Sequence, residues 1–454
     1  METHPSQNIS SDGTSAAEPE QKTHSLRLSA FDVLMLLDER PGYPMSFFIE
    51  THLSGNFSIQ RLRTAVKNAT KRHPRLRSQV QHNEQGWLWV PSDKPPQVVQ
   101  LQCSADRESQ AIAFRAFNIR QESGIRFIVI PEGDQQWSIV LQVHHSVCDG
   151  LAALEFLGDT WSLYHGNKPT DFKTHSRTKS IQTDSDNDDN PNTKEDHQHA
   201  RQTIAFATFR PSSIASSRNT KDISNTRKPF QSFTLPTTLV KSLRQRASQS
   251  GATTNDIIVA SSILAIHEWN KRQGKAGKRI RITMPVSLRP PRDRQPASNQ
   301  IGYAFLDRHP SQLHDPQAVV TSIAEASRWI QHSGAAGMFL VVLGVFLKRT
   351  WLLRLITRLP TCFSTAVVSN IGNVQSRMRA NVPKTNGCNN PGGLIITNIT
   401  AVPPVRPGTA LSVGITAYCG QLTITTMIDS NQLDPDDGIQ LTALLQSHIE
   451  RFAV

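Results

Sequence analysis

The sequence predicts an α/β (α+β) protein laid out in two halves, and three observations carry that reading. Segments that alternate apolar and polar residues are interspersed with segments whose apolar residues recur every three or four positions. The first period belongs to strands and the second to helices. Both halves carry this same mixture, without an internal repeat visible by eye. Between them lies a long polar stretch, residues 167–228, dense in Ser, Thr, Asn, Asp and Lys. A structureless run of that length is anomalous inside one compact domain, so it reads as a mobile linker or insert. With 454 residues the chain is long enough for two ordinary domains sharing a large core.

The elements follow in order. Residues 1–26 are rich in Ser, Glu, Gln and Thr and read as a disordered tail. Order starts at LSAFDVLMLLDE, opening a first lobe over 27–166. Met45 to Gly55 is apolar, aromatic and β-branched enough for a buried strand. Ser58 then caps a helix whose apolar positions are Leu62, Ala65, Val66 and Ala69, and Pro74 stops it. RLRSQV and GWLWV predict a hairpin pair. IRFIVI and QWSIVLQV predict two more strands joined by the turn residues PEGD. In the second of these, Trp137, Ile139, Leu141 and Val143 alternate onto one face. From Gly150 a helix runs to about His165, with Leu151, Leu154, Leu157, Trp161 and Tyr164 as its apolar stripe and Gly166 as its C-cap.

The second lobe, 229–454, begins with the strand FQSFTL. Helices are expected from Thr237 to Ser250, ended by Gly251, and from Asn255 to Lys271 with Thr254 as cap. RIRITMPVSL is a strand leading into a Pro/Arg-rich turn. Residues 316–333 and 337–359 read as helices, TAVVSNIG and GLIITNITAV as strands. ALSVGITAYCG and QLTITTMID form a hairpin around Gly420, and a last helix runs from about Asp437 to Phe452.

Composition narrows the function classes. The formal net charge of +12 favours anionic partners, among them nucleotides, phosphates, acidic carrier proteins and anionic lipid surfaces. No run of Arg and Lys interleaved with aromatics appears, so nucleic acid is not an expected partner. The five cysteines are scattered and contain no CxxC, which suggests neither a disulfide framework nor a zinc ribbon and fits a reducing cytosol. The polar N-terminal residues do not resemble a secretory signal. The most apolar run, Gly337 to Leu347, is too short to span a bilayer. No GxSxG, P-loop, GxGxxG or HExxH occurs, which leaves serine hydrolase, nucleotide-binding and zincin readings without support.

The densest chemistry is VHHSVCDG, Val143 to Gly150, at the carboxyl end of a strand and the start of a helix. Neighbouring residues of an extended backbone point to opposite sides, so only one of His144 and His145 enters a given cleft. An imidazole of near-neutral pKa suits proton abstraction from a hydroxyl or amine. Asp149 follows four residues on, and Gly150 permits close approach to the backbone. The alternative is plain structure: Asp149 as the N-cap of the helix and the histidines as the wet end of a strand. A metal site is not expected, because no third ligand stands nearby at suitable spacing.

HHSVCDG resembles the HHxxxDG signature of the chloramphenicol acetyltransferase-like superfamily. That superfamily includes nonribosomal peptide condensation domains, plant BAHD acyltransferases, polyketide-associated acyltransferases and bacterial wax ester synthase/diacylglycerol acyltransferases. RHPRLRSQV resembles its RHPxLR, and FNIRQESGIRFIVI its lead-in to the histidine strand. TTNDIIVA, MPVSLRP and VVSNIGN resemble the vNDvvla, PVslR and SNvpGp segments of the wax synthase branch. Order and spacing match over about 26–454, apart from the polar insert. The branch is left open. A DFGWG-type strand is not recognisable, SGIRF stands where wax synthases carry PLW, and SNIGN replaces SNvpGp.

The resemblance implies two similar chloramphenicol acetyltransferase-like lobes with a substrate tunnel between them. It implies an acyltransferase in which His145, the second histidine, is the general base. Asp149 turns away from substrate and pairs with an arginine, here Arg289 of PVSLRP. The plain alternative for Arg289 is a solvated charge in RPPRDR. An acyl thioester enters from one face and an alcohol or amine from the other, with no covalent acyl-enzyme. The oxyanion needs donors, for which Ser369 and Asn370 are candidates by position, their alternative being a strand end before the turn at Gly372. No cofactor is expected beyond the co-substrate, acyl-CoA or an acyl-phosphopantetheine. Acyl-CoA is the first expectation because no carrier domain is recognisable in the chain. A condensation-type enzyme using carrier-protein-bound substrates, or a non-catalytic member binding an acyl ligand or a protein, are the alternatives. The expected location is cytoplasmic. Residues 337–360, with Lys348, Arg349, Arg354 and Arg358 beside the apolar run, read either as a peripheral membrane contact or as a core helix followed by a basic-edged one.

Overall fold

The computed structural model describes residues 25–84, 86–102, 109–110, 113–173, 210–217, 230–275, 278–290, 293–347, 349–358 and 362–454. The expected N-terminal tail up to residue 24 and most of the polar insert, 174–209 and 218–229, lie outside the described residues.

The chain forms two α/β lobes, each a mixed sheet covered by helices, in agreement with the fold class read from the sequence. In chain order the first lobe contains β1 (Leu26–Arg27), α1 (Ala30–Asp38), β2 (Ser46–Ser54), α2 (Ile59–Arg72), β3 (Ser78–Asn83), β4 (Gly86–Pro91), β5 (Gln97–Gln100), β6 (Ile125–Gly133), β7 (Gln136–His144) and α3 (Gly150–His165). The second half contributes β8 (Phe230–Leu235), α4 (Thr237–Gln249), α5 (Thr254–Arg272), β9 (Ile280–Ser287), β10 (Ile301–Arg308), α6 (Pro316–Ser333), α7 (Ala335–Leu347) and α8 (Thr350–Arg358). It closes with β11 (Ala366–Asn373), α9 (Val374–Met378), β12 (Lys384–Thr385), β13 (Cys388–Asn389), β14 (Ile395–Val402), β15 (Leu411–Tyr418), β16 (Gln421–Ile428) and α10 (Pro435–Arg451).

The five-stranded sheet has the order β14-β2-β7-β6-β5, and the six-stranded sheet the order β10-β9-β11-β15-β16-β8. The first sheet is therefore completed by β14, a strand from the second half, which pairs antiparallel with β2 from Val402 opposite Phe48 to Ile395 opposite Ser54. The chain then returns to the second sheet through β15. A cut at any single point between β2 and β16 would thus separate strands of one of the two sheets. Ile371, Val374 and Met378 likewise pack into the apolar core of the first lobe.

Local chemistry explains most boundaries. Ser29 and Asp32 form a reciprocal capping box at the start of α1. The Ser58 side chain accepts from Arg61 N and opens α2, whose buried face is Leu62, Ala65, Val66 and Ala69. Trp137, Ile139, Leu141 and Val143 of β7 face the main core of this lobe, while Val140 packs on the other side of the sheet. Gly166 ends α3 in the left-handed conformation, with φ 101°.

Three expectations are corrected, and one strand that went unread is added. The cap of α5 is Thr253, whose hydroxyl accepts from Asp256 N in a capping box, and Thr254 is the first helical residue. The apolar segment after residue 335 forms two helices, α7 ending at Leu347 and α8 beginning at Thr350. The strand β10 is an added edge of the second sheet, hydrogen-bonded along β9. Its sequence, IGYAFLDR, lacks clean alternation, and the pairing with β9 supplies what the pattern does not. Cys388 and Cys419 form a disulfide across 31 positions, which no local spacing announces.

One close approach is tight enough to test. A Cβ added at Gly158 in α3 would lie 1.8 Å from the carbonyl oxygen of Met378, backbone that has little room to give. Gly158→Ala is expected to lower the unfolding free energy by about 3 kcal/mol, the upper end of ordinary overpacking costs, read from the midpoint of urea denaturation.

Candidate active site

The pairing of β7 with β6 ends at Val143, opposite Ile125, and that with β2 at His144, opposite Ser46. The chain then turns sharply. His145 N donates to Met45 O at 2.7 Å and Val147 N to His144 O at 2.9 Å. The two imidazoles separate at this turn. His144 is fully buried, its Nδ1 2.7 Å from Ser146 Oγ and its Nε2 3.1 Å from Glu39 Oε2. His145 is partly exposed and lines a small cavity of about 40 Å3 where the lobes meet. Phe47 and Ile49 of β2, Ile371 of β11 and Val402 at the end of β14 give that cavity apolar walls. Gly150 and Ser369 also line it. Asn370 does not: it is exposed, its amide donating to Asn255 Oδ1 at 3.0 Å and its Oδ1 accepting from Gly372 N. A larger surface hollow of about 280 Å3 lies against α4, α6 and α10 and contains none of these residues.

The His145 ring is held edgewise by Phe47 at 5.1 Å and lies tilted against Phe31 at 5.7 Å between centroids. Its Nδ1 is buried and has no conventional hydrogen-bond partner among the described residues. Burial pushes its pKa below the ordinary imidazole range, opposed by its own backbone carbonyl and by the Asp149 carboxylate. The ring is therefore held neutral, the form that accepts a proton. Cys148, three residues on, has no such readiness. It is fully buried, and burial drives its thiol strongly upward, so it is held protonated.

Asp149 is not one of the residues lining the cavity, and it serves three partners. Its Oδ1 accepts from Ala152 N as the N-cap of α3, and its Oδ2 accepts from Gln300 N at 2.8 Å. Arg289 Nη1 donates to the same carboxylate at 2.8 Å, while Arg289 Nη2 donates to Ser298 O at 2.7 Å. The capping role and the ion pair thus coexist at one aspartate.

Asn299, Asp32, His73 and Asp159 belong to this assembly and escaped the sequence reading. Asn299 Nδ2 lies 2.8 Å from Asp32 Oδ1, 2.9 Å from His145 O and 3.0 Å from Ser146 O. It thereby ties the carbonyls of the histidine turn to α1. Asp32 also accepts from Arg75 Nη1 at 3.0 Å. His73 Nδ1 accepts from Ala297 N at 2.9 Å, so its Nε2 carries the proton donated to Asp159 at 3.1 Å. Asp159 is further paired with Arg72 at 2.9 Å and with Arg294. RHP and the polar SNQ before β10 are visible in the sequence, but nothing local says that they meet.

No group of three or more His, Cys, Asp or Glu arranged to hold a metal ion occurs among the described residues. A neutral imidazole on an apolar seam, supported by a loop pinned from the opposite lobe, suits proton transfer in an excluded space.

The fold and this seam define the class: a two-lobed α/β protein of the chloramphenicol acetyltransferase-like superfamily. A match to the Condensation domain family spans residues 33–303, and the chain belongs to that family. An uncharacterized protein of Mycobacterium tuberculosis is 24% identical over 426 residues, covering 88% of this chain and 93% of the relative. Among solved structures, trichothecene 15-O-acetyltransferase from Fusarium sporotrichioides superposes with a TM-score of 0.66 at 12% identity, covering 94% of this chain and 95% of that one. A mutant starter condensation domain of rhizomide synthetase, in complex with C8-CoA, superposes with a TM-score of 0.63 at 16% identity, with the same coverage. Membership in the family supports acyl transfer as the general chemistry of the chain.

Two outcomes follow. Arg289→Ala strands a nearly fully buried carboxylate, so it is expected to cost about 3 kcal/mol in denaturant unfolding. Combining it with Asp149→Asn should cost less than the sum of the two single changes. The second concerns acid. Burial lowers the pKa of both His73 and His145 in the folded chain. Below an ordinary value of about 6.5 the unfolded chain takes up protons that the folded one refuses. This contribution is fully present above about pH 6.5 and is lost as the pH falls further. Denaturant midpoints measured across a pH series should therefore drop on the acid side, and less steeply in His73→Gln.

Proposed function

We propose that the protein transfers an acyl group from a thioester, acyl-CoA in the first instance, to a hydroxyl or amine, with His145 as the general base. The observation that carries this reading is the neutral, partly exposed imidazole on the apolar cavity between the lobes. With Nδ1 buried, Nε2 is the nitrogen left to accept the proton. In the step proposed, the acceptor oxygen or nitrogen bonds to the thioester carbonyl carbon as its proton passes to His145. The tetrahedral oxyanion collapses, the C–S bond breaks, and His145 returns the proton to the departing sulfur. Ser369 stands on the same cavity and is the candidate donor toward the oxyanion. Asn370, turned to Asn255, would act on it only indirectly. Asp149 and Arg289 hold the loop and touch no reacting atom in this scheme. The C8-CoA complex of the structurally similar starter condensation domain is consistent with acyl-CoA as donor.

A carrier-bound thioester is the second reading, favoured by the family match itself. The excess of positive charge suits either anionic donor.

The test is free-thiol release from a panel of acyl-CoAs with simple alcohols and amines, followed by the same panel on a phosphopantetheinylated carrier. Acceptor-dependent release lowered by about 10²- to 10⁴-fold in His145→Ala is the expected result. Because burial lowers the His145 pKa, the acid limb of kcat/KM should lie below the ordinary imidazole value of about 6.5. Undiminished release in His145→Ala would remove the assignment, and release from neither donor would favour a protein that binds acyl ligands without turnover.

A further inference from the structure

The large apolar side chains exposed in this chain are not scattered. Of ten such residues among the described ones, six lie in α7 and α8. On α7 they are Met338, Val341, Val342 and Val345, each more than half exposed. Their spacing is i, i+3, i+4, i+7, one stripe along one side of the helix. On α8 the exposed residues Trp351, Arg354, Leu355 and Arg358 repeat the same spacing, alternating apolar and cationic. Arg349, between the helices, is exposed as well. Residues 335–358 include four cations and no acid. The opposite side is anchored: Leu343 and Leu353 are buried against Phe31, Met45 and Ile301.

This arrangement is not that of a core helix, the plainer of the two sequence readings. An apolar stripe leading into a stripe of Trp, Leu and Arg is the pattern of a helix lying in a membrane interface, with arginines reaching phosphate. A second copy of this chain is a poor occupant, because a twofold contact through this face would set Arg349, Arg354 and Arg358 against their own images. No single helix among the described residues is long and apolar enough to cross a membrane; α7 reaches that length only together with α6, from which it is bent by 62° and whose Val319, Val320, Ile323 and Ile330 are buried in the core, so the contact envisaged is peripheral. The patch is also joined to the candidate site. Phe339 of α7 lies 5.0 Å from Tyr303, Tyr303 lies 5.4 Å from Phe31, and Phe31 lies 5.7 Å from His145, ring centre to ring centre.

We propose that the exposed stripe of α7 and α8 docks the protein on an anionic membrane surface and brings a membrane-dissolved acyl acceptor to the His145 cavity. The substrate part rests on the acyl-transfer reading above, while the docking part does not.

The experiment floats the full chain with vesicles of phosphatidylcholine alone and of phosphatidylcholine with phosphatidylserine. Binding to the anionic vesicles is expected, weakened about 5-fold by each of Arg354→Ala and Arg358→Ala and lost in Val341→Asp/Val345→Asp. All these side chains are exposed, so thermal unfolding should be unchanged in every variant. A chain that stays in the buffer with both vesicle types overturns docking. So does arginine-independent binding, and so does self-association, read by sedimentation velocity, that disappears in the double aspartate variant while vesicles are ignored. Turnover is read separately, with a long-chain alcohol dissolved in the vesicles and with a short soluble one. The double aspartate variant should lose the first and keep the second. Equal loss of both would overturn the delivery of substrate from the membrane while leaving docking to its own result.

Discussion

Everything at the seam depends on three buried carboxylates of the first lobe that find partners in one segment of the second. Asp32, Asp149 and Asp159 are each all but inaccessible to water. The segment leaving β9 and entering β10 meets them in turn: Arg289 and Gln300 at Asp149, Arg294 at Asp159, Asn299 at Asp32. A buried charge without a partner costs several kcal/mol, so the lobes cannot drift apart without exposing or stranding these groups. The constraint fixes geometry more than it adds net stability, since the desolvation of such pairs offsets most of their attraction.

The candidate base inherits its position from that constraint. β7 delivers the histidines, the Met45 carbonyl catches the His145 amide, and Asn299 holds the two carbonyls that follow. The adjacent histidine is consumed by Glu39 and Ser146. One imidazole therefore braces the turn while the other lines the cavity with a lowered affinity for protons. Placement on rigid elements, with support from the facing lobe, is what preorganised proton transfer requires.

The strand exchange has the same logic. β14 pairs with β2, and β15, the next strand, belongs to the other sheet. Gly414 of β15 lies so close to β14 that an added Cβ would meet the Ala401 carbonyl oxygen at 2.1 Å. The apolar walls of the cavity are therefore backbone-close and drawn from both lobes, and a thioester placed there would be shielded from water.

The sequence by itself determined what is local. Period and caps placed α2, β6, β7 and α3, because side chains three or four apart, or two apart, must share a face whatever surrounds them. HHSVCDG and PVSLRP named His145, Asp149 and Arg289 through resemblance. Tertiary structure alone decided that Asn299 grips the turn that carries the histidines. It alone also set that Cys388 meets Cys419 and that β14 crosses between lobes. Each of these rests on partners far apart in the chain, 154 positions between His145 and Asn299, and no local period records such a meeting. Burial and hydrogen-bond satisfaction act between segments, and they take effect only once the chain has brought those segments together.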